Sequence, residues 1–410
     1  MKTYTIRLFP TEEQIQSINE LSLIRNELWN KLIDIEQCEY KTNNKIIHNY
    51  GLDKEITKLR KLSNLSKLNS KACQRISKEI YSGYQSFFKL IKKDKTAKPP
   101  NKILNVEKFH TIVFNQSGWV FINDETIKIN KIPLRFKSNI FNINELNVKE
   151  LRIKYVNNKW LCDIIVEDKI KYKDVIETNN KILAIDLGLK TLGTCIDNKG
   201  NQLVIINKAK KINKYYQKQI ANVQNKLSKK DKGSRKYKKL RTTLNKLYTK
   251  KNKQVKQTLH TQSKQLLSMN YKTIVIGDLS VKKLMKNEKN KYTKVSKSFH
   301  NSNITTFVDM VKYKSYQYNT DIVKINEQYT TQTNCLTGKL FKSKVELSDR
   351  TVMLNDSVEI DRDLNAAINI LNRYFNNHLA SMTEPLDLSN VIHKFNLMNK
   401  SSLIGKPISL

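Results

Sequence analysis

The chain has 410 residues, and its 75 lysines and arginines outnumber its 37 acidic residues to give a net charge of +38. An excess of this size calls for a polyanionic partner, either nucleic acid or an acidic membrane surface. No apolar run approaches the ~18 residues of a membrane span, and no signal peptide opens the chain. We therefore expect a cytoplasmic, nucleoid-associated prokaryotic protein of two or three domains, with no membrane partner.

The first part of the chain combines a helical block with strand-like segments. Alternation predicts a strand at residues 2–9, and the Pro-Thr-Glu-Glu that follows is a helix-start signal. Helical patterning continues through 52–92, whereas 109–167 contains short apolar-alternating segments broken by turn residues. The pattern predicts a β-barrel interrupted near its start by a helical insertion. The predicted ranges are 1–10 and 101–170 for the barrel and 11–100 for the insertion.

An α/β pattern begins at Ile182, after a polar linker at 168–181. Strands are predicted at 182–187, 192–197, 202–206, 273–279 and 322–327, and helices at about 208–228, 234–269 and 300–318 and from 363. Three strands followed by helix–strand–helix–strand–helix is the order of an RNase H-like domain. We place this domain at residues 171–374, and the tail at 375–410 shows no clear pattern.

Two acidic residues stand where apolar elements start or stop. Asp186 ends the buried-strand run of 182–185, and Asp363 directly precedes an apolar helix start. Buried acids are costly unless they are paired or bind a cation, and two of them can form a two-metal site that cleaves phosphodiesters. The sequence thus favours a nuclease with two Mg²⁺ ions. The plainer alternatives are a turn acid for Asp186 and a helix N-cap for Asp363. Asp361 is the reserve candidate for the site carboxylate.

A strongly basic stretch runs from Lys208 to Lys256, with 19 lysines and arginines and a single acid, Asp231. A break at 231–234 divides it into two antiparallel helices. A solvated charged face is one interpretation, but nearly unopposed like charge repels itself without a counter-anion. We favour phosphate binding, with tyrosines 215, 216 and 237 available for base stacking. The predicted nucleic-acid-binding residues are Lys229, Lys230, Lys232, Arg235, Lys236, Tyr237, Lys238, Lys239 and Arg241.

The order of motifs resembles a known family. IDLGLKTLGT, KLSKKDKGSRKYKKLRTTLNKLY, IVIGDLSVKKL, YTTQTNC and DRDLNAAINIL follow one another as in TnpB, the transposon-encoded RNA-guided nucleases related to type V CRISPR effectors. The resemblance covers about residues 1–374. It implies a RuvC-like nuclease domain split by the basic hairpin, and a WED-type barrel with an inserted helical REC lobe. It also implies a guide RNA from the transposon end and a double-stranded DNA target cut beside a short flanking motif.

The chain departs from the family at its third carboxylate. TnpB proteins usually carry a glutamate just before the Asp-Leu of the fourth strand, where this chain has Gly277. If strand five ends on Glu327, the pleat directs that side chain to the face of Ile325, beside the vacancy. We therefore predict Asp186, Glu327 and Asp363 as the catalytic and metal-binding residues. A surface acid is the alternative for Glu327, and Asp278 is a weaker substitute because it points to the opposite face.

The chain also lacks the cysteines of a zinc ribbon. TnpB proteins usually place two C-x-x-C pairs at the position of residues 332–360, where this chain has only Cys335 and no histidine. We predict no structural zinc. We expect Cys335 to pack inside, with a metal role as the alternative, and the segment after it to form a small hairpin.

Two rival functions follow from the same residues. A nuclease-dead, RNA-guided DNA-binding repressor is favoured by Gly277 and by the missing ribbon, and opposed by the intact Asp186 and Asp363. A DNA transposase could act through the same fold, because an RNase H-like domain by itself does not specify the reaction. The hairpin and the barrel fit guided recognition better.

Overall fold

The computed structural model describes residues 1–61, 64–138, 143–167, 179–278, 298, 301–346, 348–378 and 408–409. The chain forms two compact units, Met1–Lys169 and Ile170–Leu410. Most of the predicted linker and most of the C-terminal tail lie outside the described residues.

The first unit contains a seven-stranded antiparallel sheet. Its strands are β1 (Lys2–Leu8), β2 (Ile112–Asn115), β3 (Trp119–Asn123), β4 (Thr126–Ile129), β5 (Ile132–Lys137), β6 (Val148–Val156) and β7 (Lys159–Val166). The order across the sheet is β2-β6-β7-β1-β5-β4-β3. The first strand of the chain therefore lies in the middle, where it pairs with β5 and β7. The strands appear where alternation predicted them, with β2 and β3 as the two edges of the described sheet.

Three helices are inserted between β1 and β2. They are α1 (Glu12–Asn43), α2 (Asn49–Lys61) and α3 (Ser70–Ile91). The predicted helix start is a capping box, in which the Thr11 side chain accepts from the Gln14 N–H and the Gln14 side chain accepts from the Thr11 N–H. Buried residues of the helices and of the sheet, such as Leu28, Ile80 and Phe114, belong to one hydrophobic core.

The second unit contains a six-stranded sheet and four helices among its described residues. In chain order its elements are β8 (Asn179–Leu187), β9 (Thr191–Asp197), β10 (Gln202–Ile206), α4 (Lys208–Ser228), α5 (Arg235–Leu267), β11 (Tyr271–Gly277), α6 (Ile304–Ser315), β12 (Asp321–Ile325), β13 (Thr351–Asn355), β14 (Val358–Asp361), α7 (Arg362–His378) and β15 (Ile408–Ser409). The sheet order is β12-β11-β8-β9-β10-β15. Strands β8 to β10 form an antiparallel meander, and β11 and β12 run parallel to β8. This is the predicted RNase H-like order, extended by β15, which the sequence did not indicate.

Both faces of this sheet are covered. In β8, Leu183 and Ile185 belong to the core built with α5 and α6. Ile182 and Ala184 belong to the opposite core, built with α7. A strand buried on both faces has a continuous apolar sequence, which explains the run that marked it. Because side chains alternate, the residue at position 186 faces α7.

The segment before α7 contains a two-stranded hairpin. Strands β13 and β14 form the predicted hairpin. Cys335 is buried and packs in one cluster with Val352 and Ile360, so its predicted interior position is confirmed. The Asn334 amide donates to the Leu354 carbonyl at 2.8 Å and ties the preceding turn to the hairpin. Apolar packing and buried hydrogen bonds hold this insert together.

Candidate nuclease site

Three parallel strands end side by side at one edge of the second unit. The register pairs Ile276 of β11 with Ile185 of β8, and Gly277 with Ile325 of β12. Asp186 and Gly277 are therefore neighbours across adjacent strands. Both positions alternate toward the face that α7 covers. A side chain at 277 would thus lie beside the Asp186 carboxylate.

Glu327 occupies the space that Gly277 leaves. Strand β12 ends at Ile325, so the prediction that this strand ends on Glu327 was wrong by two residues. The chain turns after the strand, and the Thr330 N–H and Oγ1–H both donate to the Glu327 carbonyl, at 3.1 and 2.8 Å. The Glu327 side chain folds back over the glycine. A Cβ atom added at Gly277 would lie only 2.6 Å from Glu327 Oε2.

Asp361 and Asp363, at the start of α7, make different contacts. Asp361 Oδ1 accepts from the N–H groups of Asp363 and Leu364, at 2.8 and 3.2 Å, so Asp361 caps the helix. The alternative that Asp363 is the N-cap is wrong. Its carboxylate accepts instead from the Arg362 guanidinium at 3.2 Å. Asp363 is therefore available to the neighbouring cavity.

One cavity of about 790 Å³ brings the three predicted carboxylates together. Asp186, Glu327 and Asp363 all line it. Six basic side chains line the same cavity: Lys190, Lys210, Lys211, Lys214, Arg350 and Arg362. Within the described ranges, no three His, Cys, Asp or Glu side chains are grouped closely enough to hold one metal ion. The carboxylates share a cavity, but they do not form a ready-made metal cage.

The electrostatics of the cavity disfavour charged carboxylates. Burial raises the pKa of Asp186 well above its usual value, and the nearby charges of Glu327 and Asp363 raise it further, while Arg362 opposes the rise. Burial, followed by the charge of Asp278, raises the pKa of Glu327 to about 7. Glu327 Oε2 is buried and accepts no hydrogen bond from the part of the chain that the structure describes. A buried carboxylate oxygen without a donor is costly, and a bound cation would remove that cost.

Asp278, the weaker substitute, lies outside this cavity. Its side chain is 56% exposed and forms an ion pair with Lys324 at 3.1 Å. Its predicted orientation, opposite to that of position 277, agrees with this exposure.

Sequence reasoning missed the basic rim. Lys210, Lys211 and Lys214 come from the first two turns of α4, which begins two residues after β10 ends. Lys210 and Lys214 are four residues apart and share one face of the helix. The sequence did contain a signal for these residues, because lysines at helical spacing directly follow a predicted strand. The high charge of the whole basic stretch hid that spacing.

The hairpin residues predicted to bind nucleic acid are mostly exposed. All eight predicted lysines and arginines are exposed, and among the described residues no carboxylate lies within ion-pair distance of them. Tyr237 is half-buried. Tyr216 is only 5% exposed, so its ring is not available for base stacking as predicted. Tyr215 is 62% exposed, and its ring meets the Tyr216 ring edge-to-face.

The second unit has the strand order of an RNase H-like fold, with carboxylates and a basic rim where its parallel strands end. Family profiles match three stretches of the chain. Residues 166–288 match a family described as a probable transposase, 305–370 the TNB domain of Cas12f1-like proteins, and 1–45 a helix-turn-helix domain. In this structure, 1–45 holds one strand and one long helix. The resemblance to the TnpB and type V effector group is confirmed.

A curated relative and two solved structures agree with these matches. A Streptomyces pristinaespiralis protein named as a candidate RNA-guided DNA endonuclease is 30% identical over 152 residues, covering 37% of this chain and 36% of that protein. The structure of Cas12f1 with guide RNA and target DNA has a TM-score of 0.57 and 15% identity, and covers 88% of this chain and 83% of that one. The CRISPR-Cas phi3 endonuclease has a TM-score of 0.53 and 11% identity, and covers 94% and 93%.

These structural likenesses establish the fold. Among the helices that the structure describes, none is both long and apolar enough to cross a membrane.

Proposed function

We propose that this chain is a transposon-encoded, RNA-guided DNA endonuclease with a RuvC-type site, in which Glu327 replaces the glutamate that relatives carry at position 277. The observation that carries the proposal is the 2.6 Å between Glu327 Oε2 and the position of a Cβ atom at Gly277. A side chain from a neighbouring turn fills the vacancy, and it brings the same functional group. A decayed site would have no reason to bury that carboxylate.

The residues present fit a divalent metal. Oxygen ligands from carboxylates suit Mg²⁺. Glu327 Oε2 is buried without a hydrogen-bond donor among the described residues, and burial raises the pKa of Asp186, so a bound cation would stabilise both carboxylates. Asp186, Glu327 and Asp363 would hold two Mg²⁺ ions, whose chemistry is to activate water and to stabilise the leaving 3′ oxygen during in-line displacement.

The basic rim would orient the DNA strand. Lys190, Lys210, Lys211, Lys214 and Arg350 line the cavity around the acids. Their charges would neutralise the phosphates that flank the scissile bond, which lowers the repulsion between DNA and the carboxylates. Arg362 would keep Asp363 in place through its ion pair.

The remaining parts have roles by analogy with guided effectors. Guide–target pairing would supply sequence specificity, while the protein reads a short flanking motif. We assign motif reading to the seven-stranded sheet as the WED-type barrel and to helices α1–α3 as the REC-like lobe. The exposed lysines and arginines of the basic hairpin would hold the guide RNA.

One reconstitution tests the proposal. The protein is co-expressed with RNA from its transposon end and incubated with matching duplex DNA and Mg²⁺, and binding and cutting are measured together. We expect wild type to bind and cut. We expect Glu327→Gln and Asp186→Ala to bind without cutting, and the control Asp278→Asn to do both.

Each other outcome selects a rival. Binding without any cutting by wild type supports the nuclease-dead repressor. Strand joining in place of cutting supports the transposase. Equal cutting by wild type and Glu327→Gln shows that the relocated glutamate is wrong.

A further inference from the structure

Helix α7 presents a polar stripe to the segment that carries Glu327. Asn365, Asn369, Asn372 and Arg373 recur at spacings of four, three and one, which places them on one side of the helix. Asn365 is fully buried and Asn369 is only 5% exposed. Buried amides need hydrogen-bond partners, and here they find them in the backbone of the facing segment.

Two asparagines hold the same two carbonyl groups. The Asn369 amide donates to Thr330 O at 2.9 Å and to Thr333 O at 2.7 Å. The Asn365 amide donates to the same oxygens at 3.4 and 2.8 Å. Thr330 in turn donates two hydrogen bonds to the Glu327 carbonyl. A chain of hydrogen bonds therefore leads from α7 to the backbone of Glu327.

A second tie lies on the other side of the glutamate. The Arg373 guanidinium donates to Asn326 O at 2.7 Å. Glu327 thus lies between two points fixed to α7, the helix whose first turn carries Asp363. An acid at 277 would be held by the strand ladder of β11. Glu327 lies beyond the end of β12, so α7 supplies the support that the ladder does not give.

We propose that Asn365 and Asn369 are positioning residues that fix Glu327 relative to Asp363, so that the two carboxylates can share metal ions. The inference rests on the proposed nuclease function, because it assigns these asparagines to the metal site of that function. Neighbours that orient metal ligands typically change metal affinity or activity 10–100-fold when removed.

Asn369→Ala tests the proposal, with Asn372→Ala as the matched control. Asn372 lies on the same side of α7, but its amide donates to Cys335 O at 3.3 Å, away from the Glu327 turn. We expect Asn369→Ala to raise the Mg²⁺ concentration for half-maximal cutting by roughly 10–100-fold and to shrink the rise in melting temperature caused by Mn²⁺. Guide-dependent DNA binding should not change. Asn372→Ala should leave both metal responses as in wild type.

Several results would overturn the inference. One is an Asn369→Ala variant whose Mg²⁺ dependence and Mn²⁺ melting shift equal those of wild type. Another is an equal loss of metal response in Asn369→Ala and Asn372→Ala. If Asn369→Ala does not fold, Thr330→Val tests the same link, because it removes the Oγ1–H bond to Glu327 and keeps the side-chain shape. If Mn²⁺ raises the melting temperature of wild type but wild type does not cut DNA, the proposed nuclease function is wrong. The comparison of Mn²⁺ melting shifts then tests the role of Asn369 by itself. Wild type without any metal response would overturn both.

A bypass variant separates positioning from general stability. Gly277→Glu with Glu327→Ala moves the acid back to the strand, where α7 no longer supports it. If this variant cuts, adding Asn369→Ala should cost it little. If Asn369→Ala reduces cutting by the bypass variant as much as it reduces cutting by wild type, Asn369 does not act by positioning Glu327. If the bypass variant does not cut, the Mn²⁺ melting shift decides.

Discussion

Gly277→Ala is the smallest change that challenges the relocated glutamate. The added methyl would lie 2.6 Å from Glu327 Oε2, whereas ordinary van der Waals contact begins at 3.4 Å. The backbone at 277 does not have a positive φ, so alanine itself is tolerated there. Relief requires the carboxylate to retreat by about 0.8 Å, and a misplacement of about 1 Å at a catalytic centre can cost ~100-fold in rate.

We expect Gly277→Ala to cut roughly 100-fold more slowly than wild type, which corresponds to about 2.7 kcal/mol in the activation barrier. Guide-dependent DNA binding should be unchanged, because Gly277 is buried and does not line the cavity. The assay is single-turnover cleavage of matched DNA at saturating Mg²⁺, with binding measured in the same samples.

Melting temperatures provide the control. In the Glu327→Ala background the nearest remaining atoms, Ile370 Cδ1 and the Cβ at 327, lie 3.1 and 3.3 Å from the added methyl. Both need to give by only a few tenths of an ångström. Gly277→Ala should therefore lower the melting temperature of wild type more than that of Glu327→Ala. Wild-type cutting by Gly277→Ala, together with equal melting shifts in both backgrounds, would refute the claim that the Glu327 carboxylate occupies this space.

Three further predictions concern pH, RNA and zinc. In metal-free protein the pKa of Glu327 is raised to about 7, above the ~4.3 of glutamate in an unfolded chain. Glu327 therefore contributes its full stabilisation below about pH 4.3 and loses it as the pH rises through about 7. By calorimetry, the melting temperature of wild type should fall more than that of Glu327→Gln between about pH 5 and 8, and Mg²⁺ should reduce the difference. Charge reversal of Lys229, Lys230 and Lys236 should weaken retention of co-purifying RNA, increasingly with salt; a soluble, nucleic-acid-free wild type in low salt would contradict this. Elemental analysis should find no stoichiometric zinc, because residues 333–360 offer one thiol, and one zinc per chain would disprove it.

Local pattern was enough to predict strands β8 to β12 and helices α4 to α7 of the second unit, apart from their exact ends. The two-sided burial of β8 makes its sequence continuously apolar, and the long basic helices break at a Gly-containing turn, where Gly233 has a φ of +96°. These features depend on neighbours within one element, so a single sequence displays them. Asp186 and Asp363 were found for the same reason, since each directly borders an apolar element.

Alternation along strand five predicted which face of the sheet Glu327 points to. It did not predict the hydrogen bonds that hold the backbone of Glu327 in place. Strand β12 stops two residues early, and the turn after it depends on carbonyl groups held by Asn365 and Asn369. Those asparagines lie more than thirty residues away along the chain. Their spacing is visible in the sequence, yet nothing local indicates which backbone they face.

Only the tertiary structure decided which carboxylates reach the cavity. From the sequence, Asp363 could be a site carboxylate or the helix N-cap, with Asp361 as the reserve site carboxylate; the hydrogen bonds to Asp361 show that Asp361 is the cap. Likewise, the sequence shows only that Gly277 stands where relatives carry a glutamate. Only the folded chain brings Glu327 Oε2 over it, because that contact depends on the register of three parallel strands and on a turn held from a distant helix.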